Sequence, residues 1–418
     1  MPDDRQPRYR AARARLLINL LVGTMAAAVA GSAVAQRQAA GPWVGTWATA
    51  AMRDGSELHF HNQTLRQTVH VSVGGTRARV RISNLFGTRT LVIDDVRLAL
   101  HANGSAIDPA SDREVEFSGR TRVAIDPGST VTSDPVVFRV PPLADLAISL
   151  YATDFSGPAT FHAWAHQTNY LAAGDQAGEP ALKNAKPIGA SYFLSGIDVW
   201  NPNNEGAIVA LGASITEGFK AEDDHRWTDD LAERLARAGL PIGVLNLGIS
   251  GNRLLADGVG ASAASRFQRD VLDQTGVRWV IFSDDPINDL GMTRPPPTGD
   301  ELIAAIRALI ARAHARRLQF LCSTLTPFEG AGYWSGEEEI SRGKVNAFLR
   351  SKASGCDSIV DQDGATHDPA HPALFLPADD GGDHLHPSNA GHAAIARAVP
   401  LEFLASGGTG SAEKSAHR

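Results

Sequence analysis

The sequence has little cysteine and no excess of positive charge, and both features limit what the protein can be. Its 418 residues include only two cysteines, Cys322 and Cys356. Two are too few for a disulfide-stapled scaffold, so the fold must depend on a hydrophobic core, and whether they pair is left open. The net charge is −7, whereas binding a phosphate backbone requires a basic surface. We therefore expect no nucleic-acid partner.

Positive charge is concentrated only near the N-terminus. Several arginines there precede an apolar run from Leu16 to about Ala30, and the small-residue site Ala33-Val34-Ala35 follows. These are the three parts of a secretory signal peptide, which we predict over residues 1–35 with cleavage after Ala35. The protein would then be periplasmic or secreted, without stable membrane association. The alternative is an uncleaved anchor, because the run is nearly long enough to span a bilayer.

The first half of the remaining chain alternates polar and apolar residues in short runs. Residues 68–73 (TVHVSV) and 78–82 (ARVRI) are examples, and turn-forming residues separate such runs. A period of two indicates strands that bury one face. We predict an antiparallel β-sandwich domain, jelly-roll-like, over residues 42–203.

The pattern changes after a cluster of turn formers at residues 200–204 (WNPNN). Compact apolar runs, such as residues 207–211 and 279–282, then alternate with helical patterns. This alternation is typical of a parallel sheet covered by helices on both faces, so we predict an α/β domain over residues 204–406 and an unfolded tail over 407–418. Ligands bind such sheets at the carboxyl ends of the strands.

A serine follows the first predicted strand of this α/β domain. Ser214 lies in Gly212-Ala213-Ser214-Ile215-Thr216-Glu217-Gly218, at a strand exit between glycines. A serine hydroxyl becomes a useful nucleophile only when a histidine removes its proton and an acid orients that histidine. The motif alone is weak, because a serine in a glycine-rich turn is most often structural.

Hydrogen-bond donors follow the next two predicted strands. Residues 246–253 (NLGISGNR) offer a backbone N–H at Gly251, and residues 286–289 (PIND) offer the side-chain amide of Asn288. Two such donors beside a nucleophile would stabilise a tetrahedral oxyanion. Either segment alone could be a simple turn.

The base and its acid are expected near the C-terminal end, in residues 383–388 (DHLHPS). Asp383 lies three residues before His386, so on one loop it can hold the Nδ1–H of the ring while Nε2 faces the serine. We interpret His386 as the general base and His384 as a bystander.

These four blocks, in this order, resemble the SGNH hydrolase superfamily, also called the GDSL family, over about residues 207–404. The resemblance implies a three-layer α/β/α, flavodoxin-like fold. It also implies that Ser214 is the nucleophile, that Asp383 and His386 complete the catalytic set, and that Ser214, Gly251 and Asn288 donate to the oxyanion. The strand-rich half, with its residues 43–47 (WVGTW), resembles the N-terminal sandwich of some exported bacterial esterases.

The chain departs from the family pattern at two positions. Ala213 stands where the family usually has aspartate, and Pro286 stands where it usually has glycine. Proline fixes φ and removes an N–H in the segment that must aim Asn288. Asp284 and Asp285 add negative charge near the expected pocket. Because no bond-making group is changed, we expect altered efficiency or selectivity rather than loss of activity.

The leading hypothesis is a serine carboxylesterase that hydrolyses short-chain acyl esters of carbohydrates or aryl alcohols without a cofactor. The C-terminal histidines fit no familiar zinc spacing, so no metal site is expected. One alternative is a carbohydrate-binding protein that has lost catalysis, and another is a lipase or acyltransferase that uses the same serine. The sequence does not reveal the natural ester or the oligomeric state.

Overall fold

Residues 41–53 and 58–407 are described by the computed structural model of the chain. The predicted signal peptide and, apart from Gly407, the predicted tail lie outside these residues and stay predictions. The described residues belong to one compact unit, so the proposed division into two domains at residue 203 also stays a prediction.

The first part of the described chain is rich in strands, as expected. Its strands are β1 (Trp43–Ala48), β2 (Met52–Arg53), β3 (Gln63–His70), β4 (Gly75–Ser83), β5 (Leu91–Ile93), β6 (Asp95–Leu100), β7 (Arg113–Glu114), β8 (Val123–Ile125), β9 (Thr130–Thr132), β10 (Val136–Val140), β11 (Asp145–Ala152), β12 (Thr160–His162), β13 (Asn169–Ala173), β14 (Lys186–Ile188), β15 (Ser191–Tyr192) and β16 (Leu194–Trp200). We call residues 43–200 the strand-rich region.

Two larger antiparallel sheets organise the strand-rich region. One has the order β1-β16-β4-β10, with β9 also paired to β4, and the other has the order β14-β13-β3-β11-β6-β7. Leu65, Val80 and Ile148, which come from both sheets, are fully buried in a single core cluster. Alternating side chains therefore build this core, because successive residues of a strand point to opposite faces.

The second part alternates strands and helices. Its elements are β17 (Gly206–Gly212), α1 (Ser214–Glu217), α2 (Trp227–Arg237), β18 (Ile242–Gly248), α3 (Ala263–Phe267), β19 (Val277–Phe282), α4 (Asp285–Met292), α5 (Gly299–Ala315), β20 (Gln319–Ser323), α6 (Gly336–Leu349), β21 (Ser358–Val360), α7 (Gln362–Thr366), β22 (His367–Asp368), β23 (His371–Phe375), α8 (Asn389–Ala398) and α9 (Leu401–Ala405). A π-helical turn at Gln268–Leu272 continues α3.

Strands β17 to β21 form a parallel sheet in the order β18-β17-β19-β20-β21. This is the strand order of flavodoxin-like folds, and it confirms the predicted α/β fold. The central strand β17 is buried at all seven positions, which explains its unbroken apolar sequence. Its carboxyl end delivers the chain to Ser214.

The strand-rich region packs directly against the parallel sheet. The N–H of Gly45 in β1 donates to the carbonyl of Thr275 at 2.9 Å, and the N–H of Val244 in β18 donates to Ser72 Oγ at 2.9 Å. A Cβ added to Gly243 would lie only 2.0 Å from the Gly45 carbonyl oxygen. The two parts therefore meet at backbone distance beside β18.

Cys322 at the end of β20 and Cys356 before β21 form a disulfide bond. This answers the pairing question that the sequence left open. Among the described residues, none of the helices combines the length and apolarity needed to cross a membrane.

Candidate active site

The residues of the four sequence blocks lie together at the carboxyl edge of the parallel sheet. Ser214 begins the short helix α1 directly after β17 and is only 8% exposed. Gly212 before it allows no side chain, because an added Cβ would lie 2.1 Å from Thr216 Oγ1 and 2.4 Å from Asp284 Oδ1. Tight backbone packing therefore fixes where the serine hydroxyl can point.

Ser214, His386 and Asp383 form a continuous hydrogen-bonded chain. His386 Nε2 lies 2.8 Å from Ser214 Oγ, and His386 Nδ1 lies 2.9 Å from Asp383 Oδ2. The other carboxylate oxygen, Oδ1, accepts the backbone N–H groups of His386 at 2.9 Å and Leu385 at 3.2 Å. The acid thus holds both the ring and the backbone of the histidine, which is the geometry that proton removal from a serine needs.

The Asp383 carboxylate is stabilised in its ionised form. Burial by itself would raise its pKa, but hydrogen bonds from the backbone and ring of His386 lower the pKa below the ordinary value. An ionised Asp383 favours the tautomer of His386 that carries its proton on Nδ1 and leaves Nε2 free to accept one.

Gly251 and Asn288, the two other predicted oxyanion donors, belong to segments that are tied together. Gly251 follows β18 with φ of 78°, a conformation that favours glycine, and Asn288 Nδ2 donates to the carbonyl of the next residue, Asn252, at 2.9 Å. Asn288 Oδ1 accepts the hydroxyl of Tyr333 at 3.1 Å, which orients the amide. Since Nδ2 carries two protons, one remains for a ligand.

Asn288 lies on helix α4 and not in the turn that the sequence suggested. Pro286 occupies the first turn of this helix. Backbone N–H groups there have no partner within the helix, so proline removes nothing that the helix uses. The unusual Pro286 therefore starts the helix that carries Asn288.

Asp284 faces the nucleophile turn and not an open pocket. Its Oδ1 accepts the Ala213 N–H at 3.0 Å and the Thr216 hydroxyl at 2.6 Å, and its Oδ2 accepts the Ile215 N–H at 2.8 Å. The residue is 3% exposed. A carboxylate is thus present beside Ser214 although residue 213 is alanine.

Residues 210–394 match the model of the GDSL-like lipase/acylhydrolase family. We call these residues the acylhydrolase domain. None of the curated proteins compared with the chain matches it.

Similar solved structures include an acetylxylan esterase from Geobacillus stearothermophilus, at 21% identity and a TM-score of 0.37, covering 50% of this chain and 96% of that one. A carbohydrate acetylesterase from Sinorhizobium meliloti has 15% identity and a TM-score of 0.37, covering 48% and 99%. A putative acylhydrolase from Bacteroides fragilis has 18% identity and a TM-score of 0.38, covering 49% and 89%.

The side chain of Arg266 links the segments that end β17 and β18 in the acylhydrolase domain. The fully buried guanidinium donates from Nη2 to the Gly212 carbonyl at 2.9 Å, from Nη1 to the Leu247 carbonyl at 2.6 Å, and from Nε to Asn252 Oδ1 at 3.1 Å. One side chain thereby connects the ends of β17 and β18. The sequence offered no signal for this role, because Arg266 lies in a helix between the recognised blocks.

Asp285 is a buried carboxyl group with few neighbours that could stabilise its charge. Neither carboxylate oxygen has a hydrogen-bond partner in the described structure, and the nearest cation is Arg266 Nη2 at 3.6 Å. Burial raises the pKa of Asp285 to about 7, since the attraction of Arg266 is opposed by the charges of Asp284 and Asp289. The group is therefore costly to ionise.

Replacing Asp285 with asparagine is expected to stabilise the protein at pH 8. A carboxyl whose pKa is higher when folded favours the folded state below its unfolded pKa, and that advantage is lost between about pH 4 and about pH 7. Urea unfolding at pH 8 should show a gain of about 2–4 kcal/mol for the variant, shrinking toward pH 4. An equal gain at both pH values would contradict this account.

Two aromatic side chains lie in series beside His386. The Phe219 ring packs edge-on against His386 with ring centroids 4.6 Å apart, and Trp164 of the strand-rich region packs edge-on against Phe219 at 6.0 Å. Trp164 is 52% exposed. By contrast, Trp227 at the start of α2 is fully buried in the core.

An open cleft of about 520 Å³ lies beside the loop that carries Asp383 and His386. Its lining includes the charged or polar residues Lys220, Glu222, Asp380, Ser388 and Asn389. A second cleft of about 550 Å³ is lined by residues 72–76, 139–142 and 200–203 together with the end of α2, and includes no predicted catalytic residue. Neither cleft is lined by Ser214, Asp383 or His386, but the first borders the loop that carries Asp383 and His386 and is therefore the better candidate for a substrate moiety.

Two other histidines of the acylhydrolase domain, His384 and His367, contact groups outside the chain of Ser214, His386 and Asp383. His384 Nδ1 lies 2.6 Å from Asp380 Oδ2, and His367 Nδ1 lies 2.8 Å from the Asp363 carbonyl. One described group could offer three metal ligands, namely His70, Asp145 and Asp224. Burial alone would lower the His70 pKa, but the surrounding carboxylates raise it above the ordinary value.

Proposed function

We propose that the protein is a serine carboxylesterase that forms an acyl-enzyme at Ser214 on short-chain acyl esters of carbohydrates or aryl alcohols. The observation that carries this proposal is the continuous chain from Asp383 through His386 to Ser214, with heavy-atom distances of 2.9 and 2.8 Å. Such a chain activates a serine that is otherwise a weak nucleophile.

In the first half-reaction Ser214 Oγ attacks the ester carbonyl carbon while its proton passes to His386 Nε2. The resulting oxyanion accepts hydrogen bonds from the Ser214 and Gly251 N–H groups and from Asn288 Nδ2. The intermediate then collapses, the bond to the alcohol oxygen breaks, and His386 gives its proton to the leaving alcohol. The acyl group remains on Ser214 as an ester.

In the second half-reaction water attacks the acyl-enzyme. His386 takes the proton of the water, and the same donors hold the second oxyanion. Collapse releases the carboxylic acid and returns the proton to Ser214 Oγ. No cofactor is required by these steps.

Two surface features favour a polar or aromatic alcohol over a long acyl chain. The cleft beside the loop of Asp383 and His386 is lined by charged side chains such as Lys220 and Asp380, and the exposed Trp164 offers a flat face on which a sugar or aryl ring can stack. The exposed Val259 lies next to Gly251, within 3.2 Å of where a Cβ on that glycine would be. A side chain at that point favours a small acyl group.

We also propose that the protein is exported. The signal-peptide pattern of residues 1–35 supports this location. The Cys322–Cys356 disulfide is in keeping with it, because disulfides persist in oxidising compartments.

A substrate panel tests the proposal. Purified protein and its Ser214→Ala variant are compared on p-nitrophenyl acetate, butyrate and decanoate, on acetylated xylose and glucose, and on aryl acetates, from pH 5 to 9. We expect serine-dependent turnover that is highest for acetyl esters and falls at acid pH, because the mechanism needs an unprotonated general base. Preference for decanoate would indicate a lipase. Transfer of the acyl group to added alcohols would indicate an acyltransferase, and binding of glycans without turnover would indicate a binding protein.

A further inference from the structure

We infer that His162, which belongs to the strand-rich region, is a positioning residue for the oxyanion donors and acts through Glu217. This inference rests on the proposed function and gives the strand-rich region a part in catalysis. It is carried by a buried chain of contacts from strand β12 to the residue that precedes Gly251.

The first link joins the nucleophile helix to the oxyanion loop, residues 250–252. Glu217 is the last residue of α1, three positions after Ser214, and is 2% exposed. Its Oε2 accepts the backbone N–H of Ser250 at 2.9 Å and also the Ser250 hydroxyl. Because Ser250 directly precedes Gly251, this carboxylate fixes the position of the loop that presents the Gly251 N–H.

The second link reaches into the strand-rich region. His162 Nε2 lies 2.8 Å from Glu217 Oε1, and His162 Nδ1 lies 2.9 Å from the Ala50 carbonyl oxygen. His162 is 5% exposed. Both ring nitrogens therefore lie close to oxygen atoms, one on Glu217 and one on the backbone of β1's neighbour Ala50.

The surroundings of Glu217 favour the ionised form of its carboxylate. Burial alone would raise its pKa, but His162 and Ser250 lower it below the ordinary value. A buried carboxylate that loses a neighbouring polar group must find another partner or move toward water. Loss of His162 is therefore expected to displace Glu217, and with it the backbone of Ser250 and Gly251.

Displacing an oxyanion donor affects the transition state more than the bound ester. The negative charge develops only during attack on the carbonyl, and donors must lie within hydrogen-bond distance of where it forms. The expected signature is a fall in kcat with little change in KM. General destabilisation would instead lower the fraction of folded protein, while kcat and KM of the molecules that remain folded would not change.

The test compares His162→Ala with His162→Gln, whose amide can still donate to Glu217. His70→Ala is the matched control, because His70 is also a partly buried histidine of the strand-rich region and lies 2.8 Å from a carboxylate, that of Asp145. The readouts are kcat and KM for p-nitrophenyl acetate, the inhibition constant of phenylboronic acid, and the melting temperature. The boronic acid forms an anionic tetrahedral adduct on the serine.

We expect His162→Ala to lower kcat about 10–100-fold and to weaken boronic-acid inhibition by a similar factor, while KM changes less than about threefold. His162→Gln should recover part of both, and His70→Ala should change neither. Folded His162→Ala with parental kcat and inhibition overturns the inference, as does an equal loss in His70→Ala.

If His162→Ala does not fold, Glu217→Gln carries the test, since it keeps the shape of the side chain and removes its charge. Parental kcat in folded Glu217→Gln overturns the inference while the proposed function stands. Absence of turnover by the parent protein refutes the proposed function, and this inference with it.

Discussion

Replacing His386 with alanine is expected to lower kcat on a short ester by about 10⁶-fold, as much as replacing Ser214, and the double variant should lose no more. The reason is that serine and histidine act as one unit: without the base the hydroxyl keeps its proton, and without the hydroxyl the base has nothing to activate. The 2.8 Å contact between Nε2 and Oγ joins the two residues in this unit. Turnover of p-nitrophenyl acetate by the three variants measures the effect.

Asp383→Ala is expected to cost less, about 10⁴-fold, because His386 keeps its place near Ser214 even when its tautomer is no longer fixed. The matched control is His384→Ala. His384 lies two residues from His386 and is paired with Asp380, so its loss should change kcat less than about threefold. Losses that multiply in the Ser214→Ala, His386→Ala double variant would show that the two residues act independently and would contradict the mechanism.

The sequence predicted the α/β fold because its strands are short apolar runs with clear ends. The apolar runs expected at residues 207–211 and 279–282 are observed within β17 (Gly206–Gly212) and β19 (Val277–Phe282). A buried parallel strand must be apolar throughout, and this pattern is readable without tertiary information. Helix α4 was not predicted, because Pro286 and Asn288 are typical of turns when only local sequence is considered.

The residues that support the site could not be found in this way. Asp284 was interpreted as a negative charge near the pocket, whereas its oxygens face the backbone on both sides of Ser214. His162 lies in a three-residue strand more than fifty positions before Ser214, and its partner is known only once the strand-rich region and the parallel sheet are in contact. Sequence reveals which groups can do chemistry, but the direction of a side chain depends on packing between distant elements.

Among residues outside the chain of Ser214, His386 and Asp383, replacing Asp284 is expected to have the largest effect on activity, although the residue touches no substrate. Its carboxylate accepts the N–H groups of Ala213 and Ile215, the two neighbours of Ser214 in the chain. Hydrogen bonds to a charged group contribute about 1.5–3 kcal/mol each, and a buried N–H left without an acceptor adds a further cost. In Asp284→Ala the turn must shift to find new acceptors, and Ser214 Oγ and its own N–H shift with it.

We expect Asp284→Asn and Asp284→Ala to lower kcat about 10²–10³-fold with KM little changed, because misplacing a reacting group by about 1 Å costs this much. The asparagine keeps one acceptor oxygen, so its loss should be the smaller. The control is Asp361→Asn: Asp361 accepts the Thr324 hydroxyl at 2.8 Å and the Gly364 N–H at 3.0 Å, at the start of α7. It should lower the melting temperature while kcat of the folded enzyme stays within about twofold. Parental kcat in folded Asp284→Asn would mean that the nucleophile turn is held by its glycines and by Arg266 without this carboxylate.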